Sequence, residues 1–324
     1  MTVSSVKTGY DGISLLVGNA AYIPAVRGIF FGGVTTYPSA TNTIDYVNIL
    51  SAGNATDFGD LSVTRWGGGA CSSSTRGILA GGQTGESGAT ISNVIDYVTI
   101  ATTGNATDFG DLLERRYVIN NGCSSSTRGL FFGGSEESTT YVNKIEYITI
   151  ATTGNATDFG DTTYSAYGMG SLASPTRAVS AGGWTGSVRE NTINYVTIAS
   201  TGNATDFGDL SVGRYYASGA SNSTRGLFSG GESASSVYSN VIDYITIATT
   251  GNATDFGDLT VARGASGGTS SSARAVFAGG SDAGSNYNVI DYVIIATTGN
   301  AVDFGDLTVT RHQLGACSDG HGGL

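Results

Sequence analysis

The sequence predicts an all-β protein, a six-bladed β-propeller built from four-stranded antiparallel blades. The main observation is internal repetition, because the octet GNATDFGD recurs at intervals of 48 to 51 residues. Within each repeat, short runs rich in Val, Ile, Thr, Tyr and Phe alternate with Gly, Asn, Asp and Ser, which is typical of strands and turns. No segment keeps the apolar spacing of an amphipathic helix. The six octets begin at Gly53, Gly104, Gly154, Gly202, Gly251 and Gly299, where the last reads GNAVDFGD.

Each repeat contains four predicted strands, named A to D in the order small-residue strand, Arg-led strand, Tyr-containing strand and Phe-containing strand. In the second repeat these are GGGACSSS, RGILAGG, NVIDYVTIATT and FGDLLERR. Strand C carries apolar residues on both faces, as expected for a sheet packed between two neighbours. Strand A is made of small residues, as the crowded axis of a propeller requires. A β-solenoid is the alternative, but its repeats are usually shorter, roughly 20 to 30 residues.

Ring closure is ambiguous because there are six B, C and D segments but seven candidates for strand A. The two that compete for the first blade are Leu16 to Tyr22 and Gln313 to Cys317. The second carries the GACS sequence of the repeat, so we expect it to be the inner strand of the first blade. Residues 1–20 then form an N-terminal arm, and residues 21–324 form a single propeller domain.

Composition narrows the class of function. The net charge is −11 with only 15 basic residues, which argues against binding to nucleic acid or anionic membranes. No apolar run is long enough to span a bilayer, and no secretion signal is evident, so we expect synthesis in the cytoplasm without membrane insertion. The three cysteines, Cys71, Cys123 and Cys317, occupy equivalent positions in strand A and are predicted to be buried thiols beside the pore.

The motifs that resemble catalytic or modification sites are interpreted as turns between strands. The DFG triplet at Asp108 occurs six times without other kinase motifs, and Asn-Ala-Thr matches a glycosylation acceptor in a chain with no secretion signal. Only His312 and His321 are available as histidines, and no nucleophile motif or phosphate-binding loop is present. We therefore expect no enzyme activity, no cofactor and no metal.

A repeated charge pattern favours a structural lattice. In an up-and-down blade the A–B and C–D turns lie on the same side, so the octet aspartates are expected near the Arg that begins strand B. Calcium binding by the paired aspartates is the alternative, with free charge a third. The predicted lattice consists of Asp57, Asp108, Asp158, Asp206, Asp255 and Asp303 with Arg27, Arg76, Arg128, Arg177, Arg225 and Arg274.

The opposite side of the predicted ring differs from blade to blade. It is formed by the B–C loops and the D–A corners, and we call it the variable face. Aromatic residues on variable loops of a rigid fold are typical of binding surfaces. Neutral sequence drift on a solvent-exposed face is the alternative explanation for the variation. The candidate binding residues are Trp66, Tyr117, Tyr167, Trp184, Tyr215, Tyr216 and His312.

Two resemblances extend these expectations. Gly81-Gly82, Tyr97, Phe109 and Arg115 or Arg116 resemble a divergent kelch repeat, with Phe in place of the usual Trp, over about residues 20 to 318. The segment NVIDYITIATTGNATDFGDLTVAR, from Asn240 to Arg263, is similar in sequence to repeat proteins of marine tailed phages. That likeness implies a virion or tail-associated protein, released by lysis, with virion subunits or a host surface as its partner. A lectin-like propeller outside any virus, with a cell-surface glycan as its ligand, is the alternative.

Overall fold

The computed structural model describes residues 26–37, 39–84, 90–117, 121–137 and 140–324, and in them it contains six four-stranded antiparallel sheets arranged as a β-propeller. The predicted fold class is confirmed. The described ranges hold no helix long and apolar enough to cross a membrane.

The strands repeat with nearly constant length, and each blade runs A-B-C-D from the axis outward. Strand A comprises Gly315–Ser318, Gly69–Ser72, Gly122–Ser124, Gly170–Ala173, Ser218–Ser221 and Gly267–Ser270 in blades 1 to 6. Strand B comprises Arg27–Phe31, Arg76–Ala80, Arg128–Phe132, Arg177–Ala181, Arg225–Ser229 and Arg274–Ala278. Strand C comprises Thr43–Asn48, Val94–Thr99, Lys144–Thr149, Thr192–Thr197, Val241–Thr246 and Val289–Ile294. Strand D comprises Thr56–Asp60, Thr107–Asp111, Thr157–Asp161, Thr205–Asp209, Thr254–Asp258 and Val302–Asp306.

The first blade joins distant parts of the chain. Its inner strand is Gly315–Ser318, which pairs antiparallel with Arg27–Phe31 in the register Ile29 opposite Cys317. The other candidate for that strand, Leu16 to Tyr22, lies outside the described residues, as does the predicted arm of residues 1–20.

The core lies between blades rather than within one. Ile29, Phe31 and Phe58 of blade 1 pack in one cluster with Leu79 and Val98 of blade 2. Every blade is therefore covered on both faces, which explains why strand C does not alternate cleanly between apolar and polar residues.

Strand D has a β-bulge at the aromatic residue of the octet. In blade 2, Ile95 pairs with Gly110 and Asp96 pairs with Asp108, so Phe109 is the extra residue. Phe109 is buried and packs edge-on against Tyr97, with ring centroids 6.0 Å apart. Gly110 follows with a φ of 146°, and a Cβ there would stand 2.5 Å from the carbonyl oxygen of Gly154 in the next blade. The Phe-Gly pair of the octet thus follows from the bulge and from close blade contact.

Candidate functional site

The B–C loops and D–A corners lie together on one side of the ring, the variable face. Arg65–Trp66 pairs with Gln83–Thr84, and isolated bridges join Tyr117 to Ser135 and Tyr167 to Trp184. In every blade the D–A corner that leads into strand A is bonded to the B–C loop of that same blade. Both variable segments therefore form one surface.

Most of the predicted aromatic residues meet in one cluster over blades 3 to 5. Tyr167 is at its centre and stacks on Tyr141, with centroids 5.0 Å apart and an interplanar angle of 23°. Tyr215 and Tyr216 approach Tyr167 edge-on at 5.9 and 5.8 Å. We call this the aromatic cluster, and its members are Tyr117, Tyr141, Tyr167, Trp184, Tyr215 and Tyr216.

One of the predicted binding residues is a packing residue instead. Trp66 is only 3% exposed, so its ring offers no face to a ligand, and Tyr37 contacts it edge-on at 6.4 Å. His312 exchanges two backbone hydrogen bonds with Val34, and burial lowers its pKa to about 4. An imidazole with that pKa is neutral at pH 7. The inclusion of Trp66 in the binding surface is therefore wrong, whereas that of His312, which is half-buried, stays a prediction.

A charged group lies inside the aromatic cluster between blades 4 and 5. Arg189 lies over the rings of Trp184 and Tyr215, with its guanidinium carbon 4.8 and 5.4 Å from their centroids. Its Nη2 is 2.8 Å from Oε1 of Glu232, and the Tyr215 hydroxyl donates a 2.7 Å hydrogen bond to Oε2 of the same carboxylate. Burial and this hydrogen bond to Glu232 raise the pKa of Tyr215. These contacts fix Trp184 and Tyr215 in place.

An open groove of about 630 Å³ runs beside the aromatic cluster over blades 2 and 3. Its volume is within the range of small-molecule sites, roughly 300 to 1,000 Å³. We call it the tyrosine groove; its main lining residues are Tyr37, Gln83, Arg115, Glu136, Tyr141 and Tyr167. Tyr37, Glu136 and Tyr141 were not singled out from the sequence. Each of them lies in a B–C loop, where the sequence departs from the repeat, and this departure could have identified them.

The predicted charge lattice is wrong. Arg27 donates from Nη1 to the carbonyl oxygen of Ile100 in the next blade at 2.8 Å, and its guanidinium lies 4.9 Å from the ring centroid of Tyr46. The same two contacts recur at Arg76, Arg128, Arg177, Arg225 and Arg274, and the last reaches Ile49 of blade 1. Among the described residues none of these arginines forms an ion pair with an octet aspartate. The octet aspartates Asp57, Asp108, Asp158, Asp206, Asp255 and Asp303 are solvent-exposed.

The ion pairs use a second set of charges that lies beneath the variable face. Arg65, at the D–A corner, is fully buried and its Nη2 is 2.9 Å from Oδ2 of Asp96 in strand C. Burial lowers the pKa of the Arg65 guanidinium, and the Asp96 carboxylate opposes that shift. Equivalent buried pairs are Arg116 with Glu146, Arg214 with Asp243, Arg263 with Asp291, and Arg311 with Asp45.

Blade 4 replaces this ion pair with neutral groups. Ala166 stands at the arginine position and Asn194 at the carboxylate position, so both charges are missing together. The Tyr164 hydroxyl lies 2.7 Å from the Gly182 carbonyl oxygen and 3.1 Å from that of Thr192. In blade 3 the arginine Nη1 contacts the equivalent carbonyls, those of Gly133 and Lys144. The paired change was visible in the sequence and would have identified the true partners.

The octet asparagines join neighbouring blades. Asn105 Oδ1 accepts a 3.1 Å hydrogen bond from the Asp60 amide of the preceding blade, and the amides of Gly104 and Ala106 bond to the carbonyls of Phe58 and Asp60. The predicted turn role is therefore incomplete, because the partner lies 45 residues away. The same contacts close the ring from blade 6 to blade 1 through Asn54 and Asp306. They also cover the outer edge of strand D, which protects it from pairing with another chain.

The pore is narrow and lined by strand A. Ser72 and Ser124 donate to the carbonyls of Ser318 and Ser72 across adjacent blades, both at 2.7 Å. His321, in the segment after the last strand, is 3.1 Å from the Ser72 carbonyl, so this segment covers the pore on the octet side. All three cysteines are free and buried, and burial raises the thiol pKa of Cys123 and Cys317 to about 12. In the described ranges no His, Cys, Asp and Glu side chains form a group able to hold a metal ion.

Comparison with known proteins gives no family assignment. No family model matches the chain, and no curated protein matches it.

Proposed function

We propose that this protein is a non-enzymatic binding module whose variable face recognises a partner. The observation that carries the proposal is the aromatic cluster, in which aromatic residues that depart from the repeat meet over blades 3 to 5 of the variable face. Six equivalent D–A corners surround the axis, and four consecutive ones carry an aromatic residue, Trp66, Tyr117, Tyr167 and Tyr215, of which the last three belong to the cluster. Large aromatic side chains are the residues most often found at the centre of binding surfaces.

The rigidity of the cluster supports the same role. Trp184 and Tyr215 are held by Arg189 and Glu232, and Tyr216 is held in the left-handed region with a φ of 63°. The equivalent corner residues Ala265 and Gln313 have nearly the same φ, so this conformation belongs to the repeat and holds the corner backbone in a defined position. Side chains that are already ordered lose little entropy when a partner binds.

The setting we propose is a phage virion, in which the module presents its variable face to a host surface or to another virion protein. Support for this setting comes from the similarity of the repeat sequence to repeat proteins of marine tailed phages. Two observations test it. Portal, tail or capsid genes should flank the coding gene, and mass spectrometry should find the protein in purified particles. Flanking metabolic genes and absence from particles would contradict the setting but not the binding role.

The binding role is tested separately, with a variant pair on opposite faces. Capture of purified particles or host envelope fragments should fall at least tenfold for Trp184→Ala with Arg189→Ala, and stay unchanged for Asp57→Asn with Asp108→Asn. Equal capture by both variants would contradict the role of the variable face. Turnover of a substrate panel that persists after every His and Cys is replaced would contradict the non-enzymatic class.

A carbohydrate-binding lectin outside any virus is the second candidate. The tyrosine groove favours it, because its size suits a small ligand and tyrosine rings line more than one side. The two tryptophans of the variable face are less suited to stacking on a sugar than the tyrosines of the groove. Trp66 is buried, and Arg189 lies over the ring of Trp184.

A further inference from the structure

The tyrosine groove combines exposed aromatic faces with short polar side chains. Tyr37 is 78% exposed at one side of the groove, and Tyr141 stacks on Tyr167 at the other. Gln83 and Thr90 lie between them, and Ile91 is the one aliphatic side chain among the described lining residues. An apolar peptide anchor would find little matching surface here, whereas a ligand with both apolar faces and hydroxyl groups would match both kinds of lining.

The described basic residues that are not part of the repeated structure lie in the same region. The arginines that begin strand B, and the buried arginines of the D–A corners, are repeated structural residues. The remaining described cations are Arg115, Lys144 and Arg189, and all three lie on the variable face of blades 3 and 4. The positive charges that are not part of the repeated structure, as far as the described ranges extend, therefore lie in one sector of the variable face.

Arg115 is the one of these three that is available to a ligand. Lys144 Nζ is 2.9 Å from Glu136 Oε1, and Arg189 is bonded to Glu232. Arg115 is exposed at the groove and, within the described ranges, has neither an ion pair nor a hydrogen bond. The other blades carry Thr, Ser, Gly or Ala at its position, so the fold does not require a cation there.

We propose that the tyrosine groove binds an oligosaccharide that carries an anionic group, a carboxylate or a sulfate ester. This inference rests on the proposed binding role and names its ligand class. The C–H faces of the sugar rings stack on Tyr37 and Tyr141, and the hydroxyl groups bond to the short polar residues. The anionic group is met by the guanidinium of Arg115, which can donate two parallel hydrogen bonds to such oxygens.

The test is titration calorimetry of the purified protein with three oligosaccharides of equal length: a neutral glucan, an oligogalacturonate and a sulfated galactan. Binding should be detected for at least one anionic oligomer, and it should be about tenfold or more tighter than for the neutral one. The anionic oligomer that binds more tightly separates the carboxylate from the sulfate ester. Equal affinity for all three, or no binding to any, overturns the proposal.

Three variants localise the binding. Arg115→Gln, at an exposed residue without structural contacts, should weaken the anionic oligomer about tenfold and leave the neutral one unchanged. Tyr141→Ala should weaken all oligomers that bind. Tyr238→Ala, at the equivalent position of the blade 5 loop, is the matched control and should change none of them. If Arg115→Gln and Tyr141→Ala both bind like the wild type, the groove is not the site.

The two proposals fail in distinguishable ways. Loss of particle or envelope capture in the Trp184 and Arg189 double variant, without any binding of anionic sugars, would retain the binding role and reject this ligand class. Binding of an anionic oligomer that is lost in Arg115→Gln would establish the groove whatever the setting of the protein.

Discussion

The octet side and the variable face of the same ring have diverged to different extents. On the octet side, the Gly-Asn-Ala segment of every blade bonds to the Phe-Gly-Asp segment of the blade before it. On the variable face, the backbone bonds between blades are made by the ends of the B–C loops, as from the Gly82 amide to the Arg116 carbonyl oxygen, whereas a loop tip such as Thr84 to Thr90 bonds within its own loop. A substitution in the octet therefore changes a blade interface, whereas one at the tip of a B–C loop is absorbed locally. Uniformity and variation in this chain follow the location of the inter-blade contacts.

The buried ion pairs should give the largest single-residue effect. Arg214→Ala leaves the Asp243 carboxylate buried without its cation, and we expect a loss of about 3 to 5 kcal/mol in the free energy of unfolding, measured by denaturant titration. Blade 4 offers the matched rescue, because its Tyr164, Ala166 and Asn194 occupy the corresponding positions. Val212→Tyr, Arg214→Ala and Asp243→Asn combined should recover most of that loss. No recovery would show that the Tyr164 arrangement depends on other parts of blade 4.

A pair of glycine substitutions compares the two sides directly. Gly110→Ala places a Cβ 2.5 Å from the Gly154 carbonyl oxygen at a φ of 146°, and should cost about 2 to 3 kcal/mol. Gly284→Ala, in a variable loop, meets no atom closer than 4.0 Å. It should change stability by less than about 0.5 kcal/mol. Similar losses in thermal and denaturant unfolding would contradict the difference between the two sides.

The two histidines should give a stability effect that depends on pH. Burial lowers the pKa of His312 and of His321 to about 4, whereas an unfolded imidazole titrates near 6.5. The unfolded chain thus binds more protons between these values, so stability falls as the pH drops from about 6.5 towards 4 and is level above. Each residue should contribute about 1 to 2 kcal/mol between pH 7 and pH 5. Thermal unfolding of His312→Gln with His321→Gln should show a weaker pH dependence over that range than the wild type.

The fold could be predicted from the sequence because the repeat determines the number of blades, the ends of the strands and the position of the inner strand together. The octet period gives the number of blades, Gly-Gly ends strand B, and the small residues of strand A place it at the axis. The true partners of the charged residues could not be predicted from the same pattern, and the predicted charge lattice was wrong for this reason. Arg27 and Asp57 are on the same side of the ring, but strand position and not side alone sets their distance. Blade 4, which lacks Arg and Asp together at positions 166 and 194, was the better guide to the partners.

The candidate site was predicted in outline. Tyr117, Tyr167, Trp184, Tyr215 and Tyr216 do meet on one face, since the loop order of a propeller brings the corners together. Burial was not predictable, because the direction of Trp66 depends on its pairing with Gln83, which a loop sequence does not show. The tyrosine groove needed side chains from separate blades, and no local motif encodes such a combination.

The pairing of Ile29 with Cys317 has a consequence for the order of folding. Five blades draw all four strands from one continuous stretch, so each can assemble as soon as its own segment is available. Blade 1 must wait for a strand 288 positions further along the chain. Joining such distant segments carries the largest loop-closure entropy in the molecule and slows folding. We expect hydrogen exchange during refolding to protect strand B of blade 4 early and Arg27–Phe31 last.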